Sequence, residues 1–464
     1  MKIDNSYDLV IVGSGPAGMS AAVEATKQKM KALVLDDQSS AGGQVYRNVI
    51  HNRNIKAGLS FLGKDYWFGL NLADEFESSS VEVSTQSRVW QISEDKKVFF
   101  SRNGKAFCVQ AKFVLIATGA MERPMPIPGW TLPGVMSVGA AQTLLKINGS
   151  GADGAIFAGT GPLFYLTIWQ YIMAGFEVKA VIDTAPSKLS LSAYLWAVPA
   201  LLQINLLLRG AKWRSYIRNQ CQYFSAAHSV SIVGTGVAQS LCFTDNKGKK
   251  QTISGEHFFI HQGVVPNINL TMATNLQHRW SKRQLCWHPC TDSFGESSVL
   301  GIFVAGDGMG IAGAGAAALS GKTAIKRMAK YTKSRLSISL VLLKLRRAKQ
   351  TAIRPFLDTV FKPPRDWLVP TDDMAIVCRC EALSKADIAA AIKLGVSGPN
   401  QLKSFCRAGM GRCQGRMCGL TVQNMIAEHN KLSEKEIGYF RLRPPIRPLT
   451  VGELAALAEH DTSS

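Results

Sequence analysis

Residues 7–25 read YDLVIVGSGPAGMSAAVEA, an apolar β-branched run that leads through Gly13-x-Gly15-x-x-Gly18 into a small-residue helix. The first glycine permits a tight turn, the second lets the backbone approach a pyrophosphate, and the third lets the helix pack on the strand. A second strand follows and ends at Asp36, whose carboxylate is placed to accept hydrogen bonds from a ribose. The stretch therefore predicts a strand–loop–helix unit that binds an ADP moiety.

Two further segments carry motifs that belong beside the same ligand. An apolar strand, residues 113–117, runs into Thr118-Gly119, and near the other end of the chain a strand ends at Gly306-Asp307, whose carboxylate can accept from a ligand hydroxyl. The predicted dinucleotide contacts, with Asp37 as the alternative to Asp36, are Gly13, Gly15, Pro16, Ala17, Gly18, Asp36, Asp37, Gly43, Gln44, Arg47, Val89, Ala117, Thr118, Gly119, Gly306 and Asp307. Together these motifs resemble the glutathione-reductase-like flavoproteins, which implies an α/β fold with two dinucleotide-binding domains and FAD as the ligand. ATP or another ADP-containing nucleotide stays open from the sequence.

Residues 155–183 repeat this layout, with a strand, Gly159-x-Gly161, a helix and a second strand that ends in Asp183. In the resembled superfamily this inserted domain holds NAD(P)H. The third glycine position is occupied by Phe164, whose side chain would hold helix and strand apart or fill space near a pyrophosphate. We therefore predict a degenerate second domain that is vacant or not used in redox chemistry. Asp183 is predicted to remain available, and NAD(P)H use stays open as the alternative.

The two nucleotide domains lack a cysteine pair suited to a flavin disulfide reductase. Such enzymes need a C-x-x-C or C-x4-C pair close to the flavin, and neither spacing occurs in these domains. No catalytic residue is assigned from the sequence.

Four cysteines are instead clustered near the C-terminus, as Cys378-x-Cys380 and, after 32 residues, Cys413-x4-Cys418. Four thiolates match the ligand set of a [2Fe–2S] cluster. Zinc also accepts four thiolates, but structural zinc sites usually present C-x2-C pairs. The spacing resembles that of bacterioferritin-associated ferredoxins, which implies a small helical [2Fe–2S] domain with these cysteines as metal ligands.

Three stretches extend the resemblance to nearly the whole chain. They are ATGAMERPMPIPGWTLPGVMSVGAAQTLLK (117–146), QLKSFCRAGMGRCQGRMCG (401–419) and RLRPPIRPLTVGELAAL (441–457). They resemble the large FAD/[2Fe–2S] subunits of heteromeric amino-acid and opine dehydrogenases, a family that includes opine oxidase, hydrogen cyanide synthase and proline or hydroxyproline dehydrogenase.

This resemblance implies an electron-transfer subunit of an enzyme that oxidises a C–N bond of an amino acid or opine. Substrate would be oxidised in a partner flavoprotein of the D-amino-acid/glycine oxidase type. The resemblance also allows a second flavin, FMN, at an interface between subunits, and a small ferredoxin-like subunit. Two alternatives stay open: a self-contained NAD(P)H-dependent FAD/[2Fe–2S] reductase, and a non-enzymatic redox scaffold or sensor.

Composition indicates which partners and which cellular compartment to expect. The 464 residues carry a formal net charge of +20, which suits an acidic partner or an anionic membrane surface. No nucleic-acid-binding motif is present, and the N-terminus lacks the pattern of a signal peptide. Two apolar segments, 189–208 and the basic 334–350, predict partner-binding or membrane-touching helices. We expect a cytoplasmic protein, with peripheral contact to the cytoplasmic face of the inner membrane as the alternative.

The order of the motifs predicts the domain organisation. The expected units are a discontinuous FAD domain at 1–150 and 255–335, a second dinucleotide domain at 151–254, a basic helical connector at 336–369, the cluster domain at 370–430 and a tail at 431–464. The tail, rich in proline, is expected to lie extended over another domain or subunit.

Overall fold

A computed structural model describes residues 4–331 and 338–461, and its architecture is α/β, as the motifs predict. Positions 334–337 of the basic segment expected at 334–350 lie outside the described residues. The strands are β1 (Ser6–Val12), β2 (Ala32–Leu35), β3 (Glu82–Ser84), β4 (Arg88–Ile92), β5 (Lys97–Arg102), β6 (Lys105–Ile116), β7 (Ala120–Glu122), β8 (Val135–Ser137), β9 (Ala155–Thr160), β10 (Val178–Asp183), β11 (Gln222–Ser225), β12 (His228–Val233), β13 (Ser240–Thr244), β14 (Lys250–Ser254), β15 (Phe258–Gln262), β16 (Val264–Pro266), β17 (His278–Ser281), β18 (Cys286–Pro289), β19 (Ile302–Val304), β20 (Ile376–Cys378) and β21 (Leu383–Ser384).

Helices cover the sheets and form most of the C-terminal third. They are α1 (Pro16–Lys27), α2 (Lys64–Glu77), α3 (Val138–Asn148), α4 (Pro162–Met173), α5 (Leu191–Ala200), α6 (Ile204–Arg218), α7 (Asn269–Ala273), α8 (Ala314–Met328), α9 (Ile338–Thr351), α10 (Arg354–Val360), α11 (Arg365–Leu368), α12 (Lys385–Lys393), α13 (Pro399–Cys406), α14 (Gly419–Asn430), α15 (Glu434–Ile437) and α16 (Val451–Asp461). Short 3-10 helices cover His51–Ile55, Ser60–Leu62, Leu201–Gln203 and Gly306–Met309.

The first sheet places the Gly13 loop at the carboxyl edge of its central strands. Its order is β3-β2-β1-β6-β5-β4, with β19 paired to the end of β6. Strands β1, β2, β3, β6 and β19 run parallel, and Val12 lies opposite Ile116. Because both faces of β1 are covered, its apolar run is buried throughout. The chain segments that follow Val12 and Ile116 therefore meet at one edge.

The second sheet is entirely parallel, in the order β11-β10-β9-β15-β8. It draws β8 (135–137) and β15 (258–262) from outside the range 151–254 predicted for the second domain. The apolar run of β15 pairs with β9 and fills the sheet centre, since Phe157 lies opposite Phe259 and both are fully buried. The predicted boundaries therefore need correction on both sides.

An antiparallel pair, β7 with β16, joins the two sheet regions. Next to it, β12, β13 and β14 form an antiparallel sheet. Strand β7 begins directly after Gly119, and β16 begins one residue beyond the end of the second sheet's β15, so the pair connects the carboxyl edges of the two sheets.

The cysteine region packs on the first sheet together with the predicted tail. Helix α12 begins with a capping box between Ser384 and Asp387. Phe440 is buried, and an added Cβ on Gly409 would lie 2.5 Å from its ring. The backbone N–H of Ile446 donates to the Trp90 carbonyl at 3.1 Å. Residues 439–446 thus run between the cysteine loops and the first sheet, and they are part of one hydrophobic core with both.

Candidate functional site

The Gly13 loop is built so that only glycine fits at two of its positions. Gly13 has φ +102°, and a Cβ there would lie 2.6 Å from the Ala117 carbonyl oxygen. A Cβ on Gly18 would lie 1.8 Å from the Gly13 carbonyl oxygen, so α1 can pack this closely on the loop only without a side chain. Gly43 brings a second loop against Gly15, since a Cβ on Gly43 would lie 2.8 Å from the Gly15 Cα.

This loop opens into a cavity of about 910 Å³. The predicted contacts that line the cavity are Gly13, Gly15, Pro16, Ala17, Asp36, Asp37, Gly43, Gln44, Arg47, Val89, Ala117, Thr118, Gly119, Gly306 and Asp307. Gly18 does not line it but supports the loop from behind. Residues brought from five separate parts of the chain therefore face one space, whose size and helix N-terminus suit a dinucleotide.

The two predicted ribose acceptors have different partners. Asp36 is buried, and its Oδ2 accepts hydrogen bonds from the Ser14 N–H and hydroxyl, both at 2.6 Å. Its Oδ1 accepts from the Gln38 N–H at 2.8 Å. Asp37 pairs with Arg447 at 2.8 Å. Asp36 thus orders the glycine loop as well as facing the cavity, and Asp37 is partly neutralised.

At the other end of the cavity, Asp307 orders the start of α8. Its Oδ1 accepts from the N–H groups of Ala312 and Gly313 at 2.8 and 2.9 Å. Within the described residues, these bonds leave Oδ2 available to a ligand hydroxyl. The role of Gly306-Asp307 as a ligand contact stays a prediction.

A buried lysine that the sequence did not single out supports the Gly43 loop from α3. Lys146 Nζ donates to the Gln44 carbonyl at 2.9 Å and to Gln142 Oε1 at 2.8 Å. Burial, assisted by the nearby charge of Arg47, lowers the pKa of Lys146 to about 7. Nothing in the local sequence distinguishes this lysine from a surface one, because its burial arises from contacts about a hundred residues away.

The second glycine loop keeps its backbone but its acidic residue is already engaged. Asp183 is fully buried, and its Oδ2 accepts from Arg214 and Tyr165, both at 2.9 Å, and from the Tyr223 hydroxyl. The prediction that Asp183 remains available is therefore wrong, because its acceptor capacity is used by side chains of the second domain. Phe164, at the third glycine position, is fully buried in the core.

A carboxylate–imidazole pair lies between the two glycine loops. Glu122 Oε1 is 2.6 Å from His261 Nδ1, and Glu122 Oε2 accepts from the Gly139 N–H at 3.0 Å. Both side chains line the cavity, and the His261 ring lies beside Gly161. Sequence reasoning missed this pair because its members are 139 residues apart and belong to no motif.

The four predicted cluster cysteines lie together as two pairs. Cys418 hydrogen bonds to Cys378 and thereby lowers the pKa of Cys378 to about 6. Cys413 hydrogen bonds to Cys380, and burial raises the pKa of Cys413. Within residues 4–331 and 338–461, no group of three or more His, Cys, Asp or Glu is arranged around a single metal-ion position.

Backbone amides surround these thiols. Cys378 receives hydrogen bonds from backbone groups of Cys380, Glu381 and Gly409, and Cys413 from those of Gly415 and Met417. An added Cβ on Gly411 would lie 2.2 Å from the Cys380 Cβ, so the loops approach closely because of glycine. Such donors stabilise negative charge on sulfur.

The cysteine loops and the Gly13 loop share one cavity wall. Arg379 lies between Cys378 and Cys380, while Arg416 and Met417 lie between Cys413 and Cys418, and all three line the cavity. Arg416 also lies near Asp37, so the cysteine loops meet the cavity at the Asp36–Asp37 end. Sequence reasoning missed the two arginines, although their position inside the cysteine spacings is a signal that could have found them.

Comparisons with known proteins agree with this geometry. The family described as pyridine nucleotide-disulphide oxidoreductase matches residues 7–150, and the sarcosine oxidase A3 domain matches residues 374–458. Among solved structures, L-proline dehydrogenase from P. horikoshii superposes with a TM-score of 0.72 at 17% identity and covers 97% of this chain and 79% of that one. At that identity the likeness shows the fold.

Two relatives extend over almost the full chain. The HcnB subunit of hydrogen cyanide synthase from Pseudomonas protegens is 27% identical, with 96% of each chain covered. The A subunit of opine oxidase from Rhizobium meliloti is 40% identical over 97% of this chain and 88% of the relative. The chain is thus an oxidoreductase with a flavin-type dinucleotide fold, and it belongs to the family of opine oxidase A subunits, which are parts of heteromeric flavin oxidoreductases.

Proposed function

We propose that the chain is the electron-transfer subunit of a heteromeric dehydrogenase that oxidises the C–N bond of an opine or a related amino acid. FAD would occupy the cavity at the Gly13 loop, and a [2Fe–2S] cluster would be held by Cys378, Cys380, Cys413 and Cys418. The observation that carries the proposal is the shared wall, in which Arg379 and Met417, from within the two cysteine loops, line the dinucleotide cavity.

The residues present suit both groups. The close approaches at Gly13, Gly18 and Gly43 leave room for a dinucleotide backbone that a Cβ would fill. The paired thiols and their backbone donors suit a cluster that needs four cysteines. Bound flavin accepts two electrons and can release them singly, which suits exchange with a one-electron cluster.

Substrate oxidation is assigned to a partner subunit of the D-amino-acid/glycine oxidase type. The relatives are named as subunits of opine oxidase and hydrogen cyanide synthase, which supports a multi-subunit enzyme and an amino-acid-like substrate. The engaged carboxylate of Asp183 disfavours NAD(P)H as the electron donor. Incubating the purified chain alone with NADH or NADPH tests this point: the flavin should stay oxidised, and bleaching would support the self-contained reductase instead.

The cluster is tested by Cys413→Ser, with Cys406→Ser as a matched control. Cys406 lies seven positions earlier on α13 and is outside both thiol pairs. We expect Cys413→Ser to lose iron and labile sulfide and to abolish dye reduction by the assembled enzyme, while flavin content and partner binding are kept. Cys406→Ser should retain all of these properties. Full dye reduction by Cys413→Ser would show that electrons do not leave through the cysteine site.

A further inference from the structure

Helix α5 exposes an apolar stripe to solvent. Leu191, Tyr194, Leu195 and Val198 recur at i, i+3, i+4 and i+7, and Leu191, Leu195 and Val198 are 83%, 75% and 71% exposed. A helix of a globular protein normally turns such a stripe toward its core. This stripe has no apolar cover within the described chain, and it continues into the exposed Leu201 and Leu202.

Helix α9 presents a second stripe with the same spacing. Its exposed apolar residues are Ile338, Val341, Leu342 and Leu345. On the opposite side Leu340 and Leu343 are buried, so α9 is anchored through one face and leaves a second apolar face open. Packing against the hydrophobic core therefore does not explain why the exposed face of α9 is apolar.

The two stripes belong to neighbouring elements. The Gln203 side chain donates to the Lys349 carbonyl at 3.1 Å, which fastens the turn after α5 to the end of α9. We call the exposed apolar residues of α5, the Leu201–Gln203 turn and α9 the α5/α9 surface.

The chain segments that form and flank this surface contain basic residues but no acidic ones. No Asp or Glu occurs from position 184 to 244 or from 308 to 357. Lys188, Lys212, Arg346 and Lys349 are exposed. An apolar surface whose own chain segments supply basic but no acidic side chains is complementary to an anionic lipid bilayer.

The helix lies along the protein rather than standing free of it. Leu191–Arg218 forms a continuous helical run of 28 residues, and its most apolar 18-residue window has a mean hydropathy of 1.6. Only 11% of that window is buried inside the protein, so by length and composition the run could span a membrane. However, Pro199 lies inside α5, and Arg209 pairs with Asp65 of α2. The Arg209–Asp65 pair and the Gln203 bond fasten the run to the rest of the protein at two points.

We propose that the α5/α9 surface docks the protein on an anionic bilayer, with α5 and α9 lying in the plane of the membrane interface. Their apolar stripes would enter the headgroup–acyl boundary, and the lysines and arginines at the rim would contact anionic headgroups. This proposal goes beyond the proposed function and does not depend on either redox centre.

Vesicle sedimentation of the full chain tests the apolar stripes. We expect binding to vesicles of phosphatidylglycerol and phosphatidylcholine, and little binding to phosphatidylcholine alone. Leu195→Gln/Leu342→Gln should weaken binding by at least about tenfold, because each leucine would lose its transfer from water. The matched control is Leu300→Gln, at an exposed leucine on a loop outside the α5/α9 surface. It should bind like the native chain.

The basic rim is tested separately with Arg346→Gln/Lys349→Gln. Each basic residue near an anionic surface contributes about 1 kcal/mol, so removing two should weaken binding to phosphatidylglycerol vesicles by roughly thirtyfold. Circular dichroism melting confirms that each variant is folded. The proposal is overturned if the native chain ignores anionic vesicles or if folded variants bind them as it does. It is equally overturned if the leucine variant keeps vesicle binding but no longer co-purifies with its partner subunit, which would mark a protein interface.

Discussion

Replacing Lys146 with methionine should change how stability depends on pH. Lys146 Nζ is buried in α3 and donates to the Gln44 carbonyl and to Gln142. Methionine keeps most of the apolar stem but removes the amine. The substitution therefore isolates the cost of burying a group that can be charged.

Burial, with Arg47 as a second cause, lowers the pKa of Lys146 from 10.5 to about 7. Between these values the unfolded chain holds one more proton at this side chain than the folded one, so the free energy of unfolding rises with pH across that window. The shift corresponds to roughly 5 kcal/mol at about 1.36 kcal/mol per unit, as an upper limit. That full cost burdens the native state below about pH 7 and has vanished above about pH 10.5.

The variant gains this energy at low pH but loses two hydrogen bonds at every pH, at a cost of about 1–3 kcal/mol. Lys146→Met should therefore be more stable than the native chain by about 2–4 kcal/mol near pH 6.5 and less stable near pH 10. The two stability curves are expected to cross in between.

Urea unfolding, followed by tryptophan fluorescence with FAD in excess, measures these curves from about pH 6.5 to about pH 10. Lys64→Met, at an exposed lysine, is the control, and its free energy of unfolding should change with pH in the same way as that of the native chain. If the free energy of unfolding of Lys146→Met also changes with pH as that of the native chain does, burial does not lower the pKa of the amine and the reasoning fails.

Three further substitutions test other contacts of the site. Gly18→Val should abolish flavin binding, measured as flavin absorbance per chain, because its Cβ would lie 1.8 Å from the Gly13 carbonyl oxygen; normal flavin content would contradict this. Glu122→Ala should lower the free energy of unfolding by about 1–3 kcal/mol, since His261 loses its partner, and an unchanged urea midpoint would count against it. Asp183→Asn should cost about 1.5–3 kcal/mol by weakening charged hydrogen bonds, again read by urea unfolding, and stability equal to the native chain would refute it.

The dinucleotide loops could be read from the sequence because their chemistry is local. The Gly13 loop, its strand and its helix are contiguous. Gly18 is required by an atom five positions away, and Gly13 by an atom at the end of a neighbouring strand. The two cysteine pairs could likewise be grouped from their spacing in the sequence alone. Fifteen of the sixteen predicted dinucleotide contacts line the cavity.

What the sequence could not supply depends on contacts between distant segments. No spacing rule connects Glu122 with His261, or Asp183 with Arg214, although each pair is in contact in the folded chain. The same holds for β8 and β15, which enter the second sheet from outside its predicted range because strand pairing, not chain order, decides membership. The burial of Lys146 is a third example.

The state of Asp183 also bears on which molecule can supply electrons. A nicotinamide dinucleotide that used this carboxylate would have to displace Arg214, Tyr165 or Tyr223, all of which donate to the same oxygen. Exchanging a charged donor for a neutral ribose hydroxyl would forfeit about 1.5–3 kcal/mol, which weakens binding by roughly ten- to a hundredfold. Asp36 at the Gly13 loop is also engaged, but its donors, Ser14 and the Gln38 backbone N–H, are neutral, so a ribose there would not replace a charged hydrogen bond. The two acidic residues therefore differ in the hydrogen bonds that a ribose would displace, and Asp183 is the less favourable of the two as a dinucleotide contact.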